Sequence, residues 1–358
     1  MYYASLEYAM RPASFIFLFL FLATVCSGCV SGPSVVYPEL EPVEGPPASE
    51  QTSFSFAFQD RMVSLEIPID PRVYAGAKEA GKEAILFGSV EGDEWVGGYF
   101  RAFMEDSDLN PLYDAILEDL RDIRSDASLD DDEYLELLAV FVQSIPYRTN
   151  PAANHPKFPI ETVVEWSGDC DDKSLLLAPL LSREGYDVAL LFFDQEDHMA
   201  VGVRSEGCTF GNTGYAFLET TNVTLVTRPP KELEGGITLD SAPKVIPLDS
   251  GTKSYTRCDQ IIRIENAEEE AYAQMEALKP DLAALDNELG MLQGELAALR
   301  NAGRVGEYNR LVREYNARLK EYNRLTEEFN RNAKLYNAII SRQYDREGLF
   351  LLITGSAG

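Results

Sequence analysis

Apolar positions along this chain change period repeatedly, and each change marks a different kind of element. Residues 15–25, FIFLFLFLATV, are continuously apolar, too short a run to cross a bilayer as a lone helix. Phe54, Phe56 and Phe58 alternate with small or polar residues, Gln-Asp-Arg comes next, and Val63, Leu65, Ile67 and Ile69 alternate again. This predicts a β-hairpin over 53–69, which must pack on neighbouring elements because an isolated pair of strands is not stable. Short helices are expected near 71–87 and 96–106. From Asn110-Pro111 the period becomes helical: Leu112, Ile116, Leu120 and Ile123 share one face to about residue 125, with Asn110 as the expected cap. A second helix, starting near Ser128 or Asp130, carries Leu135, Leu138, Val142 and Ile145 before Pro146. Period two returns around Met199, Val201 and Val203 and again in the run from Tyr215 to Thr221, which predicts two strands. Residues 226–263 read as returning strands or a wrapped loop.

The last third is different. Leu278, Leu282, Leu285, Leu289, Leu292, Leu296 and Leu299 form a heptad stripe, extended backwards by Met275 and Ala271. Asn301-Ala-Gly-Arg-Val-Gly306 breaks it. A second stripe places Tyr308, Tyr315, Tyr322, Phe329 and Tyr336 seven residues apart, each followed by Asn, with Leu311, Leu325 and Ile339 between them and Arg318 and Asn332 as polar gaps. Two such helices joined by a Gly-containing turn make an antiparallel coiled-coil hairpin on the order of 55 Å long. The final apolar run, LFLLI, is expected to dock as a strand or to fray.

Candidate chemistry centres on WSGDCDDKSLLLAPLL, residues 166–181. Cys170 comes directly after a Ser-Gly-Asp turn at the mouth of a helix, where unsatisfied N–H groups and the helix dipole favour a thiolate. A nucleophilic thiol also needs a base and a group to orient that base. His198 begins the first predicted strand and Glu219 lies on the second; if the strands pair, the two face one another. Trp166, Asp169 and His155 are candidates for the substrate cleft, His155 being the chain's other histidine. Pro179 is expected to kink the helix well past the nucleophile.

This order of Cys at a helix start, His on a strand and an acid on the next strand resembles the transglutaminase-like branch of the papain-like superfamily. The matching residues are Gly168, Asp169 and Cys170 with the apolar helix after them, His198 before a small-apolar strand, and Glu219-Thr220-Thr221. The resemblance covers roughly 130–225. It is especially similar to prokaryotic surface proteins in which a strand pair ending in Ile-Pro precedes the core, here Ile67-Pro68. It implies an α+β fold in which a Cys-bearing helix packs on an antiparallel sheet, with Cys170 as nucleophile, His198 as base and Glu219 as orienting acid. Two departures stand out: Glu-Thr-Thr replaces the family's commoner Asp-Pro-Thr, and Pro179 interrupts the helix.

Charge and cysteines narrow the function classes. The 59 acidic against 31 basic side chains leave a formal charge of −28, which excludes nucleic acid as a partner. The acidic run 130–133 lacks the alternating ligands and central Gly of a calcium loop. Two histidines far apart and no CxxC or HExxH spacing leave no metal set, and no cofactor is implied. The leader around residues 15–25, with Arg11 before it and Ser27-Gly28-Cys29 after, reads as an export signal with Cys29 as a lipidated N-terminus; ordinary cleaved secretion and an uncleaved anchor are the alternatives. Met10 is a better start than Met1. Cys208 and Cys258 are left as a candidate disulfide or as two free thiols.

The organisation expected is a signal with lipoprotein cysteine over 1–29, a flexible linker over 30–52, the α+β domain over 53–263, the hairpin over 264–343 and a tail over 344–358. Two functions compete. One is a thiol peptidase, amidase or acyltransferase, tethered by lipid to the outer face of the cytoplasmic membrane or cell envelope and acting on a peptide or protein amide. The other is a catalytically silent domain whose hairpin self-associates or holds a partner protein.

Overall fold

The computed structural model describes residues 34–90, 92–149, 155–233, 236–248 and 251–355. The leader, Cys29 and the choice between Met1 and Met10 lie outside them. The chain divides into two compact units, one ending at Thr256 and the other beginning at Arg257. The first is α+β and the second is helical.

The first unit opens with β1 (Ser34–Val36) and an irregular segment that is packed down rather than acting as the expected tether. Leu40 is buried and its N–H donates to Asp106 Oδ2 at 3.0 Å, while Val43 N–H reaches the Arg72 carbonyl at 3.1 Å. Proline-rich composition disguised this, because the segment is held by backbone hydrogen bonds and one leucine instead of an apolar stripe. β2 (Glu50–Phe58) and β3 (Arg61–Ile69) form the expected hairpin in the register Phe58↔Arg61, with Gln59 in the left-handed region at φ 51°. The alternating Phe54, Phe56, Phe58, Val63, Leu65, Ile67 and Ile69 are all buried.

Next comes α1 (Pro71–Glu79), capped by Asp70, whose side chain accepts from Arg72 N–H. It stops well short of residue 87, because β4 (Ile85–Phe87) pairs antiparallel with β1. α2 (Trp95–Met104) is the next helix. α3 (Asn110–Ala127) is entered directly from a 3-10 turn over Ser107–Leu109, so Asn110 is inside the helix; the capping carboxylate is that of Asp106, which accepts from Asp108 N–H at 2.9 Å. α4 (Asp131–Gln143) begins with a reciprocal capping box, Asp130 and Glu133 each accepting the other's N–H at 2.9 Å. The acidic run thus has structural partners: Asp131 pairs with Arg124 and Lys253, and Asp132 accepts from Thr256.

α5 (Pro159–Glu165) and α6 (Cys170–Arg183) flank the turn that carries the cysteine. Pro179 lies inside α6 without ending it. The sheet is built from β5 (Val188–Phe193), β6 (His198–Arg204), β7 (Tyr215–Leu218) and β8 (Lys244–Pro247), ordered β7-β6-β5-β8 with every neighbour antiparallel. α6 lies against β5 and β6, and its Leu175, Leu176, Leu177, Leu180 and Leu181 are completely enclosed. That apolar run explains why the cysteine's helix is the central one: it is buried on nearly every side.

The second unit contains α7 (Cys258–Asn301), α8 (Val305–Ser341) and α9 (Arg346–Thr354). α7 starts six residues earlier than the expected boundary at 264, because Ile261 and Ile264 already bury one face. Gly303, at φ 71°, turns the chain into α8, which packs along α7. Leu289, Leu292, Leu311, Leu325 and Ile339 are buried, and the heptad tyrosines are half-buried. The polar gap at Arg318 is filled by an ion pair to Glu288 at 2.8 Å. The last apolar run neither frays nor forms a strand. Asp345 accepts from Gly348 N–H at 2.8 Å, and α9 rests on α7 through Leu349.

Candidate active site

The turn between α5 and α6 is fixed from three directions. Trp166 ends α5 in the left-handed region at φ 45°, and its indole stacks on Phe54 of the hairpin with ring centroids 3.9 Å apart. Phe141 lies beside the same ring, so the structure engages Trp166 in packing against the hairpin. Gly168 is tied by its N–H to the Pro146 carbonyl at 3.3 Å and by its own carbonyl to Arg148 N–H at 2.9 Å. A Cβ at Gly168 would come within 2.7 Å of Asp172 Cβ, so close approach requires glycine there. Asp169 is the N-cap of α6, accepting from Asp172 N–H at 3.1 Å, and the Asp172 carboxylate in turn accepts from Asp169 N–H at 3.3 Å.

Cys170 therefore occupies the first position of α6. It is 8 % exposed and is the free cysteine among the described residues; Cys208 and Cys258 are both disulfide-bonded. Its thiol lies 3.6 Å from Asp171 Oδ1, and the backbone N–H of Met199 is near enough to the sulfur to favour its charged form. Met199 is the residue after His198 at the start of β6, so the sulfur lies beside the histidine's strand. Ser174 reinforces the contact: its hydroxyl donates to the Met199 carbonyl at 3.3 Å and pairs with Thr220 Oγ1 at 3.2 Å.

His198 and Glu219 are both enclosed, 3 % and 2 % exposed, with Nε2 to Oε2 at 3.3 Å. The register Val201↔Leu218 leaves Glu219 one residue beyond the paired part of β7. Its other oxygen accepts from Thr220 N–H at 3.0 Å, Thr221 N–H at 2.8 Å and Thr221 Oγ1 at 2.6 Å. Burial acts to raise the Glu219 carboxyl, but the bonds from His198 and Thr221 outweigh it and hold the group below its usual range. A carboxylate can only accept, so Nε2 of His198 donates to Glu219, and Nδ1 is the ring nitrogen not engaged by the carboxylate. His155 is exposed on the segment leading into α5, and none of the described contacts of Cys170, His198 or Glu219 involves it.

The thiolate expected from the helix start is not the resting state. Burial pushes the Cys170 thiol well above its usual value, and the carboxylates of Asp171, Asp169 and Glu219 push the same way; the Met199 N–H opposes them with less effect. Helix-terminus stabilisation is worth roughly 0.3–1 kcal/mol in ordinary settings, and burial with the neighbouring carboxylates outweighs it. Those carboxylates strain one another too. Burial followed by repulsion from Asp172 raises Asp169 to about 6; burial followed by Asp169, Asp172 and Asp197 raises Asp171 well above the carboxylate range.

The raised Asp169 carboxyl means that the folded state binds an extra proton between about pH 4, where unfolded aspartates titrate, and about pH 6. Its contribution to stability is present below about pH 4 and is lost as pH rises through about 6. The urea midpoint is expected to increase on going from pH 7 to 4.5. In Asp169→Asn, which keeps a capping oxygen, that rise should be smaller; an identical pH dependence in the two proteins would contradict the assignment.

Several residues of the site gave little signal in the sequence. Lys173 is completely enclosed and donates to the carbonyls of Ile145, Gln143 and Thr221 at 2.7, 3.2 and 3.3 Å. Burial lowers its ammonium to about 7, while three carbonyls match its three hydrogens. The signal, in retrospect, is a lone cation just ahead of an apolar run of leucines. Comparison of the chain with protein-family models, with curated proteins and with solved structures found no match. The function therefore rests on side-chain chemistry.

Proposed function

We propose that the first unit is a transglutaminase-like thiol enzyme of the papain-like type, a peptidase or amidase acting by acyl transfer. The observation that carries the reading is the juxtaposition of three groups. A free cysteine sits at the first position of α6, its sulfur lies beside the N–H of the residue after His198, and His198 is oriented through Nε2 by an enclosed carboxylate.

Because the resting thiol is protonated, attack and proton transfer are coupled. Cys170 sulfur bonds to the amide carbon while its proton passes to His198 Nδ1, and Glu219 stabilises the imidazolium that forms. The N–H of Cys170, at the first helical position, has no intrahelical acceptor and is the donor assigned to the oxyanion. Collapse breaks the C–N bond, and the departing amine takes the proton from His198. Water then resolves the thioester in a hydrolase; an amine resolves it in a cross-linking enzyme. The leader and Cys29 supply the proposed setting, a lipid tether to the cell envelope.

Two observations favour a second reading. The raised thiol and the long α7–α8 hairpin suit a catalytically silent domain that presents its coiled coil to a second copy or a partner protein. Release of ammonia or new amines from cell-envelope peptides separates the two. Catalysis predicts release that disappears in Cys170→Ala; equal release from both proteins supports the silent scaffold.

A further inference from the structure

Glu219 orients His198 only if the turn that carries it is itself held, and that turn, residues 219–224, has no strand neighbour of its own beyond β7. Ser174 pairs with Thr220 Oγ1, and two further enclosed side chains hold the turn by its backbone. Gln143, at the end of α4 and 4 % exposed, donates through Nε2 to the carbonyls of Glu219 at 2.8 Å and Thr224 at 3.2 Å, and accepts from Thr224 N–H at 3.3 Å. Lys173 donates to the Thr221 carbonyl at 3.3 Å while its other two bonds grip the carbonyls of Gln143 and Ile145. The turn is thereby bolted to α4 at both ends and, in its middle, to the helix that begins with the nucleophile. Lys173 is three residues after Cys170, close to one helical turn.

Placing a lysine with no exposed surface costs stability through desolvation. A leucine would fill the same space, as leucines do at positions 175, 176 and 177 of α6. What leucine cannot do is satisfy three converging carbonyls and fix a turn whose backbone N–H groups feed the Glu219 carboxylate. We infer that Lys173 and Gln143 are positioning residues: they set the Glu219 carboxylate on His198 Nε2 and lock both to the helix of Cys170. This rests on the catalytic reading and deepens it. Neither side chain touches a reacting atom; both act through the turn.

The test reads the histidine directly and needs no substrate. The chain has two histidines, so imidazole NMR signals are assigned with His155→Gln. The groups that bear on His198 are Glu219 after β7 and Asp197 beside it. Only the Glu219 contact depends on the clamp. In Lys173→Met and Gln143→Met the proton affinity of His198 should fall at least about threefold, roughly half a pH unit, and its Nε2–H signal should lose its hydrogen-bonded shift. Lys82→Met removes another enclosed lysine, one paired with Glu161 far from this turn in the sequence. It should cost stability without moving His198.

Unchanged titration in folded Lys173→Met and Gln143→Met overturns the inference, as does an equal shift in Lys82→Met. Failure of both clamp variants to fold also overturns it, since a clamp acting on one turn leaves the core intact. The catalytic reading fails separately, if wild-type protein with the expected His198 shift transfers no acyl group.

Discussion

Replacing His198 by alanine is expected to slow Cys170-dependent acyl transfer by roughly 10²–10⁴-fold, the usual worth of a positioned general base. The physical reason is specific to this site. A cysteine that rests as a thiolate needs no base for the attack itself, but here burial and three neighbouring carboxyl groups favour the protonated sulfur. The proton must leave as the S–C bond forms, and Nδ1 of His198 is the lone pair that Glu219 orients. The effect should appear in kcat and kcat/KM alike, because it acts on the transition state. Raising the pH should partly rescue His198→Ala as solvent base replaces the imidazole. A variant within threefold of wild type at neutral pH would remove His198 from the chemistry.

Glu161→Ala is expected to have the largest effect on stability, roughly 3–5 kcal/mol, the cost of breaking an enclosed ion pair by removing one partner. Glu161 is 1 % exposed; it accepts from Lys82 Nζ at 2.5 Å and from Phe158 N–H at 2.9 Å, and Lys78 lies 3.6 Å away. Truncation strands the Lys82 ammonium, which is itself enclosed, and frees the start of α5. Urea unfolding measures this. Glu161→Gln, which retains an acceptor for Phe158 N–H, should lose less; a loss below about 1 kcal/mol in Glu161→Ala, the scale of an ordinary surface substitution, would contradict the role given to this pair.

Much of the site was legible because its signals are local. Alternation in Phe54–Phe58 and Val63–Ile69 fixes a hairpin face, a Ser-Gly-Asp turn before an apolar run fixes a helix start, and a period-two strand places His198 at its edge. The pairing of β6 with β7 grew out of those patterns, and with it the meeting of His198 and Glu219. What stayed hidden depends on partners distant in sequence. The thiol's protonation is set by carboxylates whose depth no local pattern gives. Lys173 and Gln143 look like ordinary polar interruptions until the carbonyls of residues 145, 219, 221 and 224 converge on them. Residues 34–52 looked like linker because their order comes from backbone hydrogen bonds to Asp106 and Arg72. The final helix, α9, was hidden by brevity: a short apolar run carries no period, and only the Asp345 cap decides its form.

The central claim is that the sulfur of Cys170 accepts an acyl group with His198 as base. The direct measurement is the reaction of the full chain with p-nitrophenyl acetate, tracking nitrophenolate in the first turnover and locating the acetyl group by peptide mass spectrometry. A burst of one equivalent with acetyl on Cys170 is predicted, absent in Cys170→Ala and strongly slowed in His198→Ala. A steady release with no burst, or acetyl spread over surface lysines while Cys170 keeps its thiol, would contradict it.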